Sequence, residues 1–430
     1  MPQTSDSTSP ETLRLALALQ GGGSHGAFGW GVLHELLEEP RIEVAALSGT
    51  SAGAVNAVIY ADGWLSRPED PRRGAQEALA RFWNLNIVAS AWLTGGLLRP
   101  SAWDALHRNP TLKNNPIFLS LDLLGRIASP YELNSHANPL AYLLEHAYGL
   151  DATRLRDPAA PLVFLTATDV ATGEAVVYDN TELTTQAVLA SACLPTLMRA
   201  VDVKGRPMWD GGYSGNPALW PIVCHTDIDD LLIVQINPVD VDQPPETARD
   251  IINRINEITF NASLLAETRG LERLNDVHLV VEELCAGLRE LEPESRKAVL
   301  ARLAHRMRAA DQARARGQRL RGVQHRWRIP KALMDLLVTE PDEDRLDPRQ
   351  FEQHPLRPVA LHIIHGDDAL DRYDASSKFN TTPWFMRELF ELGRTKAREW
   401  LNRQLPAIMA NHAAGMTIST FNPAAGLSGR

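Results

Sequence analysis

At 430 residues the chain is long for one domain, and 44% hydrophobic against 22% charged residues is enough to bury a full core. A formal net charge of -10 argues against a nucleic-acid-binding protein. Three widely spaced cysteines, Cys193, Cys224 and Cys285, argue against a disulfide framework or a Cys-x-x-Cys metal site and fit a reducing, cytoplasmic setting.

The opening MPQTSDSTSPET has neither the basic nor the apolar region of a signal peptide, and no apolar run reaches membrane-spanning length, so any membrane contact is expected to be peripheral. Residues 1–12 predict a disordered lead. Leu13 to Gln20, with leucines at alternate positions, predicts the first strand of a buried sheet. It runs into Gly21-Gly22-Gly23-Ser24-His25-Gly26 and then a helical stretch, Ala27 to Glu38. Such a loop exposes unpaired backbone N–H groups at a helix N-terminus and forms an anion site. Gly21, Gly23 and Gly26 satisfy the dinucleotide fingerprint G-x-G-x-x-G, with Glu43 about 20 residues on as the ribose-binding acid, although Glu43 stands at the start of the second strand rather than its end. The competing reading makes these N–H groups an oxyanion hole. A plain structural turn is the third.

The second strand leads into Gly49-Thr50-Ser51-Ala52-Gly53 and a small-residue helix, the strand-turn-helix context of a G-x-S-x-G nucleophile elbow. Its glycines allow a sharp bend that lifts the Ser51 hydroxyl clear of the sheet edge. From Trp64 to Pro110 the chain turns irregular and aromatic, with Phe82, Trp83, Trp92 and Trp103 suited either to an acyl-pocket wall or to a packed helical insertion. Asn138 to Gly149 predicts a helix, Pro161 to Thr168 a strand, and Glu174 to Tyr178 its partner. Cys193 reads as a small buried hydrophobe. A further strand ends in Asp210-Gly211-Gly212, a carboxylate followed by two glycines that admit close backbone approach.

The ordered set GGGSHG, GTSAG and DGG, joined by TATDVATGE, ASACLP and Asn216-Pro217, resembles the patatin-like phospholipase family of lipid acyl hydrolases over roughly Leu13 to Asn237. The resemblance implies a three-layer α/β/α sandwich with a mostly parallel central sheet. It also implies a catalytic dyad of Ser51 and Asp210, with Gly21, Gly22 and Gly23 supplying the oxyanion hole. Many members carry Arg or Lys where this chain has His25, which leaves any charge-based help at that position open.

Leu231 to Asn237 predicts another buried strand, followed by helices from Thr247 to His278, an acidic stretch and an arginine-rich segment from Arg296 to Lys331. That basic segment reads either as a membrane-surface helix or as a solvated face. Pro358 to His365 predicts a late strand that can join the main sheet, and Trp384 to Arg403 a final amphipathic helix. The domain reading is a catalytic domain over 13–280, a largely helical C-terminal region over 281–405 and a mobile tail over 406–430. The expected function is cleavage of carboxylic esters of phospholipids or acylglycerols through an acyl-enzyme. Its partner is a lipid or ester substrate, with no cofactor, no metal and no nucleic acid. A nucleotide-binding protein and a non-catalytic interaction module are the rivals.

Overall fold

The computed structural model describes residues 12–93, 95–132, 138–241, 244–292, 358–366 and 368–413, with isolated positions between 295 and 302. The predicted lead, most of the basic segment and residues 414–430 lie outside the described residues. Eight strands form one mixed sheet: β1 (Leu13–Leu19), β2 (Ile42–Gly49), β3 (Leu162–Asp169), β4 (Ala175–Tyr178), β5 (Val201–Val203), β6 (Arg206–Asp210), β7 (Asp230–Gln235) and β8 (Ala360–His365). Their order is β5-β6-β3-β2-β1-β7-β8, with β4 also on β3. The stretch β3-β2-β1-β7-β8 is parallel, and β4, β5 and β6 run antiparallel to their neighbours. Leu15, Leu17, Leu47, Leu231 and Leu232 are fully buried, as parallel strands covered on both faces require.

Register sets up the functional edge. Leu19 pairs with both Gly49 and Val234, and Gly49 also pairs with Leu165, so β1, β2 and β7 end together. Two residues beyond Leu165, Ala167 pairs with Asp210, which brings the end of β6 to the same edge.

Helices flank the sheet, among them α1 (Gly26–Glu38), α2 (Ala52–Ser66), α3 (Pro71–Leu93), α4 (Pro116–Ile127), α5 (Thr185–Ser191), α6 (Ala248–Arg289), α7 (Pro383–Arg403) and α8 (Leu405–Ala413). Helices α1 and α7 touch backbone to backbone: a Cβ on Gly31 would lie 2.0 Å from the Phe390 carbonyl oxygen, and one on Gly393 2.1 Å from that of Phe28. Arg394 and Arg398 of α7 clasp the buried Glu35 of α1 at 2.8 to 3.1 Å.

The chain divides into two compact units, Met1–Gly270 with Val359–Arg430, and Leu271–Pro358. The late strand and final helix therefore belong with the sheet, not with a separate region over 281–405. The reason is that β7 is buried on both faces and needs a neighbour on its outer edge, which β8 provides. The expected tail from 406 likewise begins as helix α8, with Leu405 and Ile408 buried. Within the aromatic stretch, Pro71–Leu93 is one regular helix rather than irregular chain.

Candidate active site

Ser51, at the end of β2, has φ 56° and ψ -123°. A non-glycine residue adopts such a conformation at a cost of order 1–3 kcal/mol and keeps it only when its surroundings enforce it. The enforcement comes from close approach: a Cβ on Gly53 would lie 2.0 Å from the Leu19 carbonyl oxygen, and one on Gly49 2.5 Å from that of Gly53. The Ser51 N–H donates to the carbonyl and the hydroxyl of Ser191, both at 3.1 Å, and the Ser191 hydroxyl donates to the Thr166 carbonyl at 2.7 Å. Thr50 Oγ1 donates to the Gly215 carbonyl at 2.6 Å. The elbow is thus tied both to β3 and to the loop that follows Asp210.

The glycine loop lies directly against the elbow, since a Cβ on Gly21 would lie 2.6 Å from Ser51 Cβ. Gly21 does not itself fit the donor role expected of it. Its N–H is spent on Asn216 Oδ1 at 2.8 Å, and its carbonyl accepts from Asn237 Nδ2 at 2.9 Å. The N–H groups of Gly22 and Gly23 make no hydrogen bond among the described residues, and Gly23 holds φ 60°. Gln20 Oε1 accepts from the N–H groups of Ile236 and Asn237 at 2.7 and 2.8 Å, and its amide donates to Asn261 on α6. Glu43 stands at the opposite end of β2, beside Arg14, so the acid that a dinucleotide reading needs is not at the loop.

His25 is buried and shares a 2.8 Å hydrogen bond with the Ser377 hydroxyl. Burial, aided by the charge of Lys378, pushes its pKa down to about 3, so it is neutral at physiological pH.

Asp210 is fully buried. Oδ1 accepts the Gly212 N–H at 2.8 Å, whereas Oδ2 has no partner of hydrogen-bond geometry among the described residues. Burial pushes the carboxyl up to about 7, opposed by the Gly212 N–H and by the nearby Ser51 hydroxyl. Gly211 and Gly212 admit the Thr166 carbonyl and the Phe260 ring, which a Cβ would meet at 2.1 and 2.3 Å. Cys193 is buried, with its thiol pushed up to about 11 by desolvation, and is not a competing nucleophile.

Sequence reasoning missed three residues of this edge: Gln20, Asn237 and Lys378. A polar residue just before the glycine run and a second Asn-Pro at a strand end, Asn237-Pro238, were available signals for the first two. The aromatic wall is placed differently from either expectation as a whole. Phe82 and Trp83 are core, with Trp83 Nε1 donating to Asn56, while Trp103 is 71% exposed and packs on His107. A cleft of about 900 Å³ between residues 107–110 and α7 is lined by neither Ser51 nor Asp210.

The model of the patatin-like phospholipase family matches residues 17–221. No curated protein matches the chain. Among solved structures, the crystal structure of VipD from Legionella pneumophila is similar at 14% identity, covering 92% of this chain and 67% of that one, with a TM-score of 0.35. The matched residues hold the glycine loop, the serine elbow and Asp210 together, and over 17–221 the chain carries a patatin-like phospholipase domain.

Proposed function

We propose that the protein hydrolyses carboxylic esters of phospholipids or acylglycerols through an acyl-enzyme on Ser51, with Asp210 as general base and the Gly22 and Gly23 N–H groups as oxyanion hole. The observation that carries this reading is the strained Ser51, set against a glycine loop with two N–H groups that find no acceptor among the described residues, and beside a buried carboxylate that finds no counter-ion among them.

Asp210 takes the hydroxyl proton as Ser51 Oγ attacks the ester carbonyl. The carbonyl oxygen becomes an oxyanion facing Gly22 and Gly23. Collapse expels the alcohol, which leaves with the proton from Asp210, and water then releases the fatty acid by the same steps in reverse. A carboxyl near pKa 7 is far better matched to this traffic than a free aspartate near 3.9.

Apolar side chains border this edge. Helix α4 exposes Leu121, Leu123 and Ile127, and the start of α6 exposes Ile251, Ile255 and Ile258. Phe118 of α4 packs against Phe379, and Lys113 binds Asp250 of α6 at 3.1 Å. No helix among the described residues is long and apolar enough to cross a membrane, so these side chains support peripheral contact with a lipid surface.

A fluorophosphonate probe should label Ser51, and a panel of phospholipid and p-nitrophenyl esters should be turned over by the wild type but not by Ser51→Ala. Labelling and turnover that survive Ser51→Ala would remove the reading.

A further inference from the structure

The segment Ala375–Phe379, far outside the matched residues, forms a 3₁₀ turn that grips the glycine loop. Ser24 Oγ donates to the Ser377 carbonyl at 3.0 Å, His25 bonds the Ser377 hydroxyl, and a Cβ on Gly23 would lie 2.6 Å from the Lys378 carbonyl oxygen. Lys378 then turns inward. Its side chain stays partly accessible along its length while the ammonium is enclosed, and Nζ donates to Asn237 Oδ1 at 2.6 Å. It forms no ion pair among the described residues. Glu257 of α6 is the carboxylate that acts on it, and that group is itself bonded to Arg254 at 3.1 Å.

The carboxamide of Asn237 has its orientation forced, because an ammonium can only donate and a carbonyl can only accept. Oδ1 therefore faces Lys378 and Nδ2 faces the Gly21 carbonyl. That carbonyl belongs to the same peptide group as the unspent Gly22 N–H. A donor on the carbonyl draws electron density from the peptide nitrogen and strengthens its N–H as a donor, and hydrogen-bonded chains of this kind polarise one another.

We propose that Lys378 is a positioning residue for the reaction, transmitting its positive charge through Asn237 and the Gly21–Gly22 peptide to the oxyanion formed at Ser51. This rests on the reading of Ser51 as nucleophile. The arrangement gives the enclosed cation a task that a purely structural lysine would not have. The His25 ring beside the loop is neutral, so the charge at this loop is that of Lys378.

The test is steady-state hydrolysis of a p-nitrophenyl ester by the full chain, with Lys378→Met and Lys378→Arg beside the wild type. Removing one oxyanion donor outright costs about 10²- to 10³-fold in kcat, so loss of a polarising charge one carboxamide away should cost about tenfold, with KM little changed. Burial holds the Lys378 pKa below its ordinary value, so wild-type kcat should fall at alkaline pH as the ammonium deprotonates. That limb should be absent in both variants, since a guanidinium keeps its charge beyond pH 12 or so. Lys378→Arg should also recover much of the kcat lost in Lys378→Met. Where Lys378→Met fails to fold, the pH profile of Lys378→Arg decides alone. Unchanged kcat in a folded Lys378→Met, or an identical alkaline limb in Lys378→Arg, overturns the proposal while Ser51 labelling in the wild type stands. Absence of that labelling overturns the nucleophile reading and this inference with it.

Discussion

Two buried aspartates lie at opposite edges of one sheet. Asp230 opens β7 and has both oxygens engaged, Oδ1 by His362 Nε2 at 2.7 Å and Oδ2 by His412 Nε2 at 2.6 Å. Asp210 closes β6 with a single backbone donor on Oδ1 and, among the described residues, nothing of hydrogen-bond geometry on Oδ2. One carboxylate is surrounded by donors and holds β7, β8 and α8 together. The other is stripped of them, and its proton affinity rises. Identical side chains thus meet opposite surroundings according to how many partners the fold supplies.

The largest effect that sharpens this contrast is on turnover. Asp210→Asn should lower kcat/KM by about 10² to 10⁴-fold, the usual span of general-base catalysis, whereas Asp230→Ala should leave a folded enzyme within about tenfold of wild type. The wild type should lose kcat/KM about tenfold per pH unit below about 7, as Asp210 takes up a proton. That acid limb should be missing in Asp210→Asn.

Stability should move the other way. The folded pKa of Asp210 is raised above the unfolded value, so its contribution is fully present below about pH 4 and is lost as pH rises through about 7. Three pKa units correspond to about 4 kcal/mol as an upper bound. Asp210→Asn, though slow in turnover, should therefore unfold at higher urea than the wild type at pH 8, and the gain should vanish near pH 4. His25 has the opposite sign: its pKa is depressed, so stability present above about 6.5 is lost as pH falls towards 3, and His25→Gln should flatten that slope.

The second aspartate predicts a smaller and purely structural change. Asp230→Ala removes the shared partner of two histidines and should cost about 3 kcal/mol in urea unfolding. Smallest of all, His365→Ala should change turnover by less than about tenfold, because its ring lies 3.5 Å from Asp371 and not at the serine. A drop for His365→Ala equal to that of Asp210→Asn would break the comparison and call for a Ser-His-Asp triad.

What the sequence showed in advance divides by the range of the forces involved. The elbow was legible because Gly49 and Gly53 each meet a carbonyl oxygen that excludes any side chain, so the spacing of the motif is the spacing of those contacts. The strands were legible because Leu15–Leu19 and Leu231–Val234 are apolar runs, as burial on both faces demands. The engagement of the Gly21 N–H was not legible: its acceptor, Asn216, lies 195 residues away and has no local pattern that aims it. The late strand was legible as a candidate for the main sheet, but not its place beside β7, in register from Asp230 and Ala360. Lys378 carries no signal at all, since a lone lysine in a polar stretch reads as surface.

The grip of Ala375–Phe379 on the glycine loop has a consequence for how the protein is born. The two sides of the Ser377–His25 contact are made 352 residues apart. At about 5 to 20 residues per second, a ribosome spends on the order of tens of seconds between making the glycine loop and making the turn that bonds to it. The sheet is in the same position, because β7 waits for β8. In a nascent chain the glycine loop therefore waits without its Ser377 and Lys378 contacts until late in synthesis.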